Sequence, residues 1–145
     1  MKKITFALLV CCTVLLARAG ESGWMTDAAK AQARAKAENK MVLLDFTGSD
    51  WCPWCIKLDK EVFATPEFKS YAATNLVLVE VDFPRKKQLS PSQKTANQAL
   101  QQRYDVKGYP TVIILNPTGA KVGELGYQKG GAAPFIARLE KLKGK

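Results

Sequence analysis

Apolar and polar positions along this chain switch between a helical and a strand period, and the switches outline its elements. Alanines at 28, 31 and 35 share one side of a polar segment, which predicts a helix over 24–40 capped by Thr26 or Asp27. Met41–Phe46 is a nearly unbroken apolar run, the pattern of a strand buried on both faces. Helical spacing returns from Trp51 to about Phe63, with Ile56, Leu58, Val62 and Phe63 expected in the core, and Pro66 opens a short helix to about Thr74. Over 76–83, Val77, Val79 and Val81 alternate with Leu78, Glu80 and Asp82, which predicts a second strand. A basic loop, Pro84-Arg85-Lys86-Lys87, separates it from Ser90-Pro91-Ser92-Gln93, which supplies an N-cap, a proline at the first helical position and a glutamine at N3. The helix that follows runs to Tyr104, with Ala96, Ala99, Leu100 and Tyr104 expected to face inward. Thr111–Leu115 is a β-branched strand stopped by the turn Asn116-Pro117-Thr118-Gly119, and Lys121–Tyr127 returns as its hairpin partner. A last helix starts at Pro134, with Phe135, Ile136, Leu139 and Leu142 as its stripe. Strands joined by helices and then a hairpin predict an α/β fold, a central mixed β-sheet flanked by helices, with an extra N-terminal helix.

The first residues follow a different logic. Lys2 and Lys3 precede the apolar run Ile4–Leu16, and Ala17-Arg18-Ala19 places small residues where a signal peptidase reads. This predicts a cleavable signal peptide over residues 1–19 and one domain over residues 20–145, exported to a periplasm or beyond. Retention as an anchor is the alternative, although the apolar run is short for a span. Cleavage removes Cys11 and Cys12 and leaves Cys52 and Cys55. It also lowers the net charge from +9 to +6, because Lys2, Lys3 and Arg18 leave with no acid. The remaining cations are spread along the chain without an aromatic-plus-basic motif, so no nucleic acid is expected as a partner. There is no histidine, which excludes Ser–His and Cys–His nucleophiles and any histidine-ligated metal.

Chemistry concentrates in Cys52-Pro53-Trp54-Cys55, where a strand gives way to a helix. Positions three apart share a helical face, so the two sulfurs can join and part with little backbone movement. Free N–H groups at a helix start favour a thiolate on a solvent-accessible Cys52, and a thiol of lowered pKa is a nucleophile near neutral pH. A bridge closing so small a loop contributes little through chain entropy, so the pair serves reactivity. Asp50 opposes the thiolate by its charge, and Lys57, one turn on, partly offsets it.

With these residues after a buried strand, and with Gly108-Tyr109-Pro110-Thr111 before the hairpin, the chain resembles the thioredoxin superfamily from about Trp24 to its C-terminus. More narrowly, Phe46-Thr47-Gly48-Ser49-Asp50-Trp51-Cys52 and Val79-Glu80-Val81-Asp82-Phe83-Pro84 look like exported Dsb-type reductases of the chlamydial DsbH-like pattern. The resemblance implies the thioredoxin fold, Cys52 as attacking and Cys55 as resolving cysteine, and a cis bond at Tyr109-Pro110 beside them. It implies a redox-active disulfide Cys52–Cys55, no cofactor, substrates that are disulfide-containing or thiol proteins, and a membrane or periplasmic thiol protein as electron donor; a monomer is expected. Asp45 matches the buried aspartate that moves the resolving thiol's proton, although Leu78 stands where thioredoxins place a lysine. A structural acid is the equal alternative at Asp45. Trp51, Pro53, Trp54, Tyr109 and Pro110 are the expected substrate-binding residues; Trp51 is also expected to pack between helix and sheet.

Other functions remain open on sequence alone. A dithiol oxidant or a disulfide isomerase would use the same pair in another direction. Two thiols also suit a soft metal such as copper, though a four-ligand zinc site is excluded by the donor count.

Overall fold

The computed structural model describes residues 23–145; the segment 1–19, where a signal peptide is expected, lies outside the described residues. Its elements are β1 Trp24–Met25, α1 Ala28–Glu38, β2 Met41–Thr47, α2 Pro53–Leu58 with a π-helical continuation Asp59–Phe63, α3 Pro66–Asn75, β3 Leu76–Asp82, α4 Pro91–Arg103, β4 Thr111–Leu115, β5 Lys121–Leu125 and α5 Ala132–Glu140. The sheet order is β1-β3-β2-β4-β5, with β1, β3 and β2 parallel and β4 and β5 antiparallel. This is the mixed sheet flanked by helices that the sequence predicts.

The central strand β2 is buried along its whole length. Successive side chains of a strand point to opposite faces, so its residues divide between two cores. Met41 and Leu43 meet Leu58, Val62, Phe63, Phe68 and Phe135 from α2, its continuation, α3 and α5. Val42, Leu44 and Phe46 meet Ala31 and Ala35 of α1 and Val77, Val79 and Val81 of β3 on the other face. Asp45 therefore falls on the face of Met41 and Leu43, the one that α2 covers.

Four sequence expectations shift. Trp24 and Met25 form a strand rather than the start of α1, pairing with Leu78 and Val79, and the Trp24 ring lies 5.3 Å from that of Phe63. The helix starts later because the Asp27 carboxylate accepts the Lys30 N–H at 3.0 Å. Ile56 is 50% exposed rather than in the core, because α2 turns Cys55, Leu58 and then Val62 inward, which leaves Ile56 off that stripe. On α4 the inward residues are Asn97, Leu100 and Tyr104, whereas Ala96 and Ala99 are exposed. Asn97 can be buried because its amide donates to the Asp82 carbonyl at 2.8 Å and its oxygen accepts from Gln93 at 2.8 Å. Finally, α5 begins at Ala132, two residues before Pro134, after Gly131 at φ 75°.

Candidate active site

Cys52 is the N-cap of α2, with Pro53 at the first helical position, and its sulfur accepts the Cys55 N–H at 3.2 Å. A sulfur aligned with a free amide at a helix start is placed to carry negative charge once the pair is reduced. Cys52 and Cys55 are joined as a disulfide, with Cα atoms 5.3 Å apart. Each is only 4% exposed. The open Cys52 that the sequence leads one to expect is, in the oxidised form, reached only through a narrow window. Between the two cysteines in the chain, Trp54 is 54% exposed and offers an apolar ring to solvent.

Trp51 precedes Cys52 and is held on all sides. Its indole N–H donates to the Phe83 carbonyl at 2.8 Å, its ring meets Tyr109 edge-on at 6.0 Å, and the Arg85 guanidinium lies 3.8 Å above it. Gly48 supports the ring from the backbone side: a Cβ there would come within 2.5 Å of the indole. Gly48→Ala is therefore expected to displace Trp51 and to cost about 1–3 kcal/mol, the range for overpacking a filled site. Urea unfolding of the variant beside wild type checks this, with loss of the Trp51 fluorescence environment as the companion signal. An unchanged midpoint would show that the ring can move freely.

The Tyr109-Pro110 peptide bond is cis. Tyr109 stacks on Phe83 at 5.1 Å, and its hydroxyl accepts from the Gln101 amide at 2.9 Å. Thus Trp51 and Tyr109, distant in sequence, meet next to Cys52, with Pro110 following Tyr109 in the chain, while Trp54 and Pro53 stand on the exposed side of α2. Trp54 has partners of its own: Tyr127 lies 5.3 Å away, and Lys57 Nζ lies 5.4 Å from both rings. Glu61 accepts the Tyr127 hydroxyl at 2.7 Å and faces Lys57 at 3.8 Å. Lys57 is thus engaged with this cluster.

Asp45 is buried, and its Oδ1 has no hydrogen-bond partner. Burial first, and then the charges of Glu80, Asp59 and Asp82, push its pKa up to about 8. Glu80 is its direct register partner on β3 and is itself raised by burial and by Asp82, against the opposing influence of Lys87. Asp50, expected to bear on Cys52, instead accepts the backbone N–H groups of Arg85, Lys86 and Lys87, which lower its pKa.

Sequence reading missed Phe83, Arg85, Tyr127 and Glu61 as neighbours of the site. The β3 alternation, which sets Glu80 on the face of Leu78, carried the signal for the acid opposite Asp45. No local pattern marked the others, because tertiary packing brings them in. Among the described residues no group of three or more Cys, Asp, Glu or His is arranged to hold a metal.

This chain belongs to the thioredoxin-like family, whose domain matches it over residues 28–143. Its relatives are thiol–disulfide oxidoreductases of the Dsb type. The disulfide bond reductase DsbH of Chlamydia pneumoniae is 37% identical over 112 residues, which cover 77% of this chain and 68% of that protein. The solved structure of a DsbH oxidoreductase superposes with a TM-score of 0.77 at 35% identity, covering 82% of each chain. The thiol:disulfide interchange protein DsbD 2 of Pseudomonas aeruginosa is 36% identical over 87 residues, 60% of this chain but 13% of that longer protein.

Proposed function

We propose that this protein is an exported thiol–disulfide oxidoreductase that reduces disulfides in periplasmic or secreted proteins, with residues 1–19 as a cleavable signal and 20–145 as the working domain. The carrying observation is the Cys52 sulfur at the cap of α2, 3.2 Å from the Cys55 N–H and bonded to Cys55. The Cys52 thiolate attacks one sulfur of a substrate disulfide, forming a mixed disulfide and releasing the first substrate thiolate, which takes up a proton. The Cys55 thiol then loses its proton and attacks the Cys52 sulfur. The second substrate sulfur departs as a thiolate and takes up a proton, and the electron pair of the dithiol now resides in the substrate. Asp45, buried on the face that α2 covers, is the base that takes the Cys55 proton in this reading. Trp51, Pro53, Trp54, Tyr109 and Pro110 form the surface that receives the substrate chain. A thiol protein of the membrane or periplasm returns two electrons, so no bound cofactor enters, and the chain acts as a monomer.

The reducing direction is supported by the name of its relative, a disulfide bond reductase. Equilibration of the purified protein with glutathione tests it. Potentials of such dithiols run from about −120 mV for oxidants to about −270 mV for reductants, and a value in the lower half of that range is expected. A value near −120 mV would make the protein an oxidant.

A further inference from the structure

The loop after β3 carries Arg85, Lys86 and Lys87, all exposed, on a backbone held in place. The Asp50 carboxylate, two residues before Cys52, accepts the N–H groups of these three residues at 2.9, 2.7 and 2.9 Å. A carboxylate engaged by three amides turns its charge toward the main chain and offsets the cationic side chains only in part, acting on Lys86. Two further contacts bind the loop to the turn bearing the disulfide: the Phe83 N–H donates to the Thr47 carbonyl at 2.9 Å, and Trp51 donates to the Phe83 carbonyl. The buried Asp82 carboxylate adds a third, accepting the Ser49 N–H at 3.0 Å and its hydroxyl at 2.6 Å. Nothing in thiol exchange itself requires a rigid loop with three cations.

Beside the loop opens a pocket of about 270 Å³, lined by Asp82, Phe83, Arg85 and Lys87 and, from α4, by Lys94 and Asn97. Of Arg85, Lys86, Lys87 and Lys94, only Lys87 has an ion pair among the described residues, at 3.8 Å from Asp82, whose oxygens Ser49 already occupies. Arg85 lies on Trp51, and Trp51 adjoins both Cys52 and Tyr109. The cationic surface therefore begins one side chain away from the disulfide-bearing turn.

We infer that Arg85, Lys86, Lys87 and Lys94 form a docking surface for an acidic polypeptide segment flanking the cystine of a substrate protein. This role takes its setting from the oxidoreductase reading, whereas the exposed positive charges stand whether or not that reading holds. An extended chain advances about 3.3 Å per residue, so aspartates or glutamates a few positions from the reacting cysteine reach the loop. Exposed charges of this kind steer and select partners, and salt weakens them.

Two peptides test this, each with serines in place of the cystine, one flanked by Asp and Glu and the other by Asn and Gln. Calorimetric titration onto the oxidised protein is expected to show the acidic peptide binding about 5- to 20-fold more tightly at low salt, a preference that shrinks below about twofold near 0.5 M salt. The Lys86→Gln/Lys94→Gln double variant is expected to lose most of that preference. Equal binding of the two peptides at low salt, or an undiminished preference in the variant, overturns the inference. So does adsorption to anionic phospholipid vesicles with no preference between the peptides. Reduction of the neutral peptide in its cystine form reports the thiol chemistry alone and is expected to be unchanged in the variant. Failure of wild type in that assay counts against the oxidoreductase reading, while the binding preference still decides the docking surface.

Discussion

Cys52→Ser is expected to reduce insulin-disulfide reduction to background, a loss on the order of a thousandfold or more, because the remaining Cys55 is 4% exposed and lies inside α2 rather than at its cap. A serine hydroxyl is not ionised near neutral pH, and the Cys55 N–H that supports the sulfur at 3.2 Å cannot lower its pKa far enough to matter. Cys55→Ser should behave differently. It retains the attacking sulfur, forms the first mixed disulfide and stalls there, so a covalent adduct through Cys52 accumulates. Gel mobility under non-reducing conditions separates the two variants. If Cys52→Ser retained a tenth of wild-type activity, the assignment of the nucleophile would be wrong. Stability is expected to change little in either variant, since the bridge closes a loop of only a few residues.

The second large effect concerns stability against pH and centres on Asp45. Its pKa is raised from 3.8 to about 8 in the folded protein by burial and by the neighbouring acids. In the unfolded chain the carboxyl ionises near pH 4. Between about pH 4 and pH 8 the unfolded state therefore binds fewer protons at this site than the folded one, and stability falls as pH rises. The contribution is intact below the unfolded value and is lost on passing through the folded one. Every tenfold difference in proton affinity between the two states is worth about 1.4 kcal/mol, so the decline at Asp45 reaches several kcal/mol. Glu80, also raised, acts in the same sense. Asp27, Glu38, Asp50 and Glu140 are lowered by hydrogen bonds and lose stability only on acidification, which sets the acid side of the profile. Asp45→Asn, with no charge to desolvate, should flatten the curve and gain most at pH 8. Urea unfolding of the oxidised wild type and variant at pH 5 and pH 8 measures the difference. Parallel pH dependences in the two proteins would mean that Asp45 is not the group responsible.

The elements of the fold other than β1 were legible because each followed from a local pattern. β2 reads as buried on both faces, and it is. The capping serine and the proline of α4 are where Ser90-Pro91-Ser92-Gln93 put them. Errors came where one residue had a choice between local habit and a distant partner. Trp24 joined β3 and Phe63 rather than a helix, Ile56 was left outside, and Asn97 replaced alanine in the core because the Asp82 carbonyl accepts its amide. A propensity scale knows nothing of that carbonyl.

The motif Cys52-Pro53-Trp54-Cys55 was visible in the chain, as was the Tyr109-Pro110 pair, and the structure brings both to one place through Trp51. Sequence alone determined the spacing that lets Cys52 and Cys55 bridge one turn apart, the strand alternation over 76–83, and the mixed sheet. Those properties live in short-range spacing, which period and covalent geometry dictate. Only the tertiary structure decided how little of the disulfide is open to solvent, that Asp50 binds the 85–87 backbone, and that Arg85 lies over Trp51. Those contacts join segments more than thirty residues apart, and burial and charge at a site depend on what the folded chain packs around it.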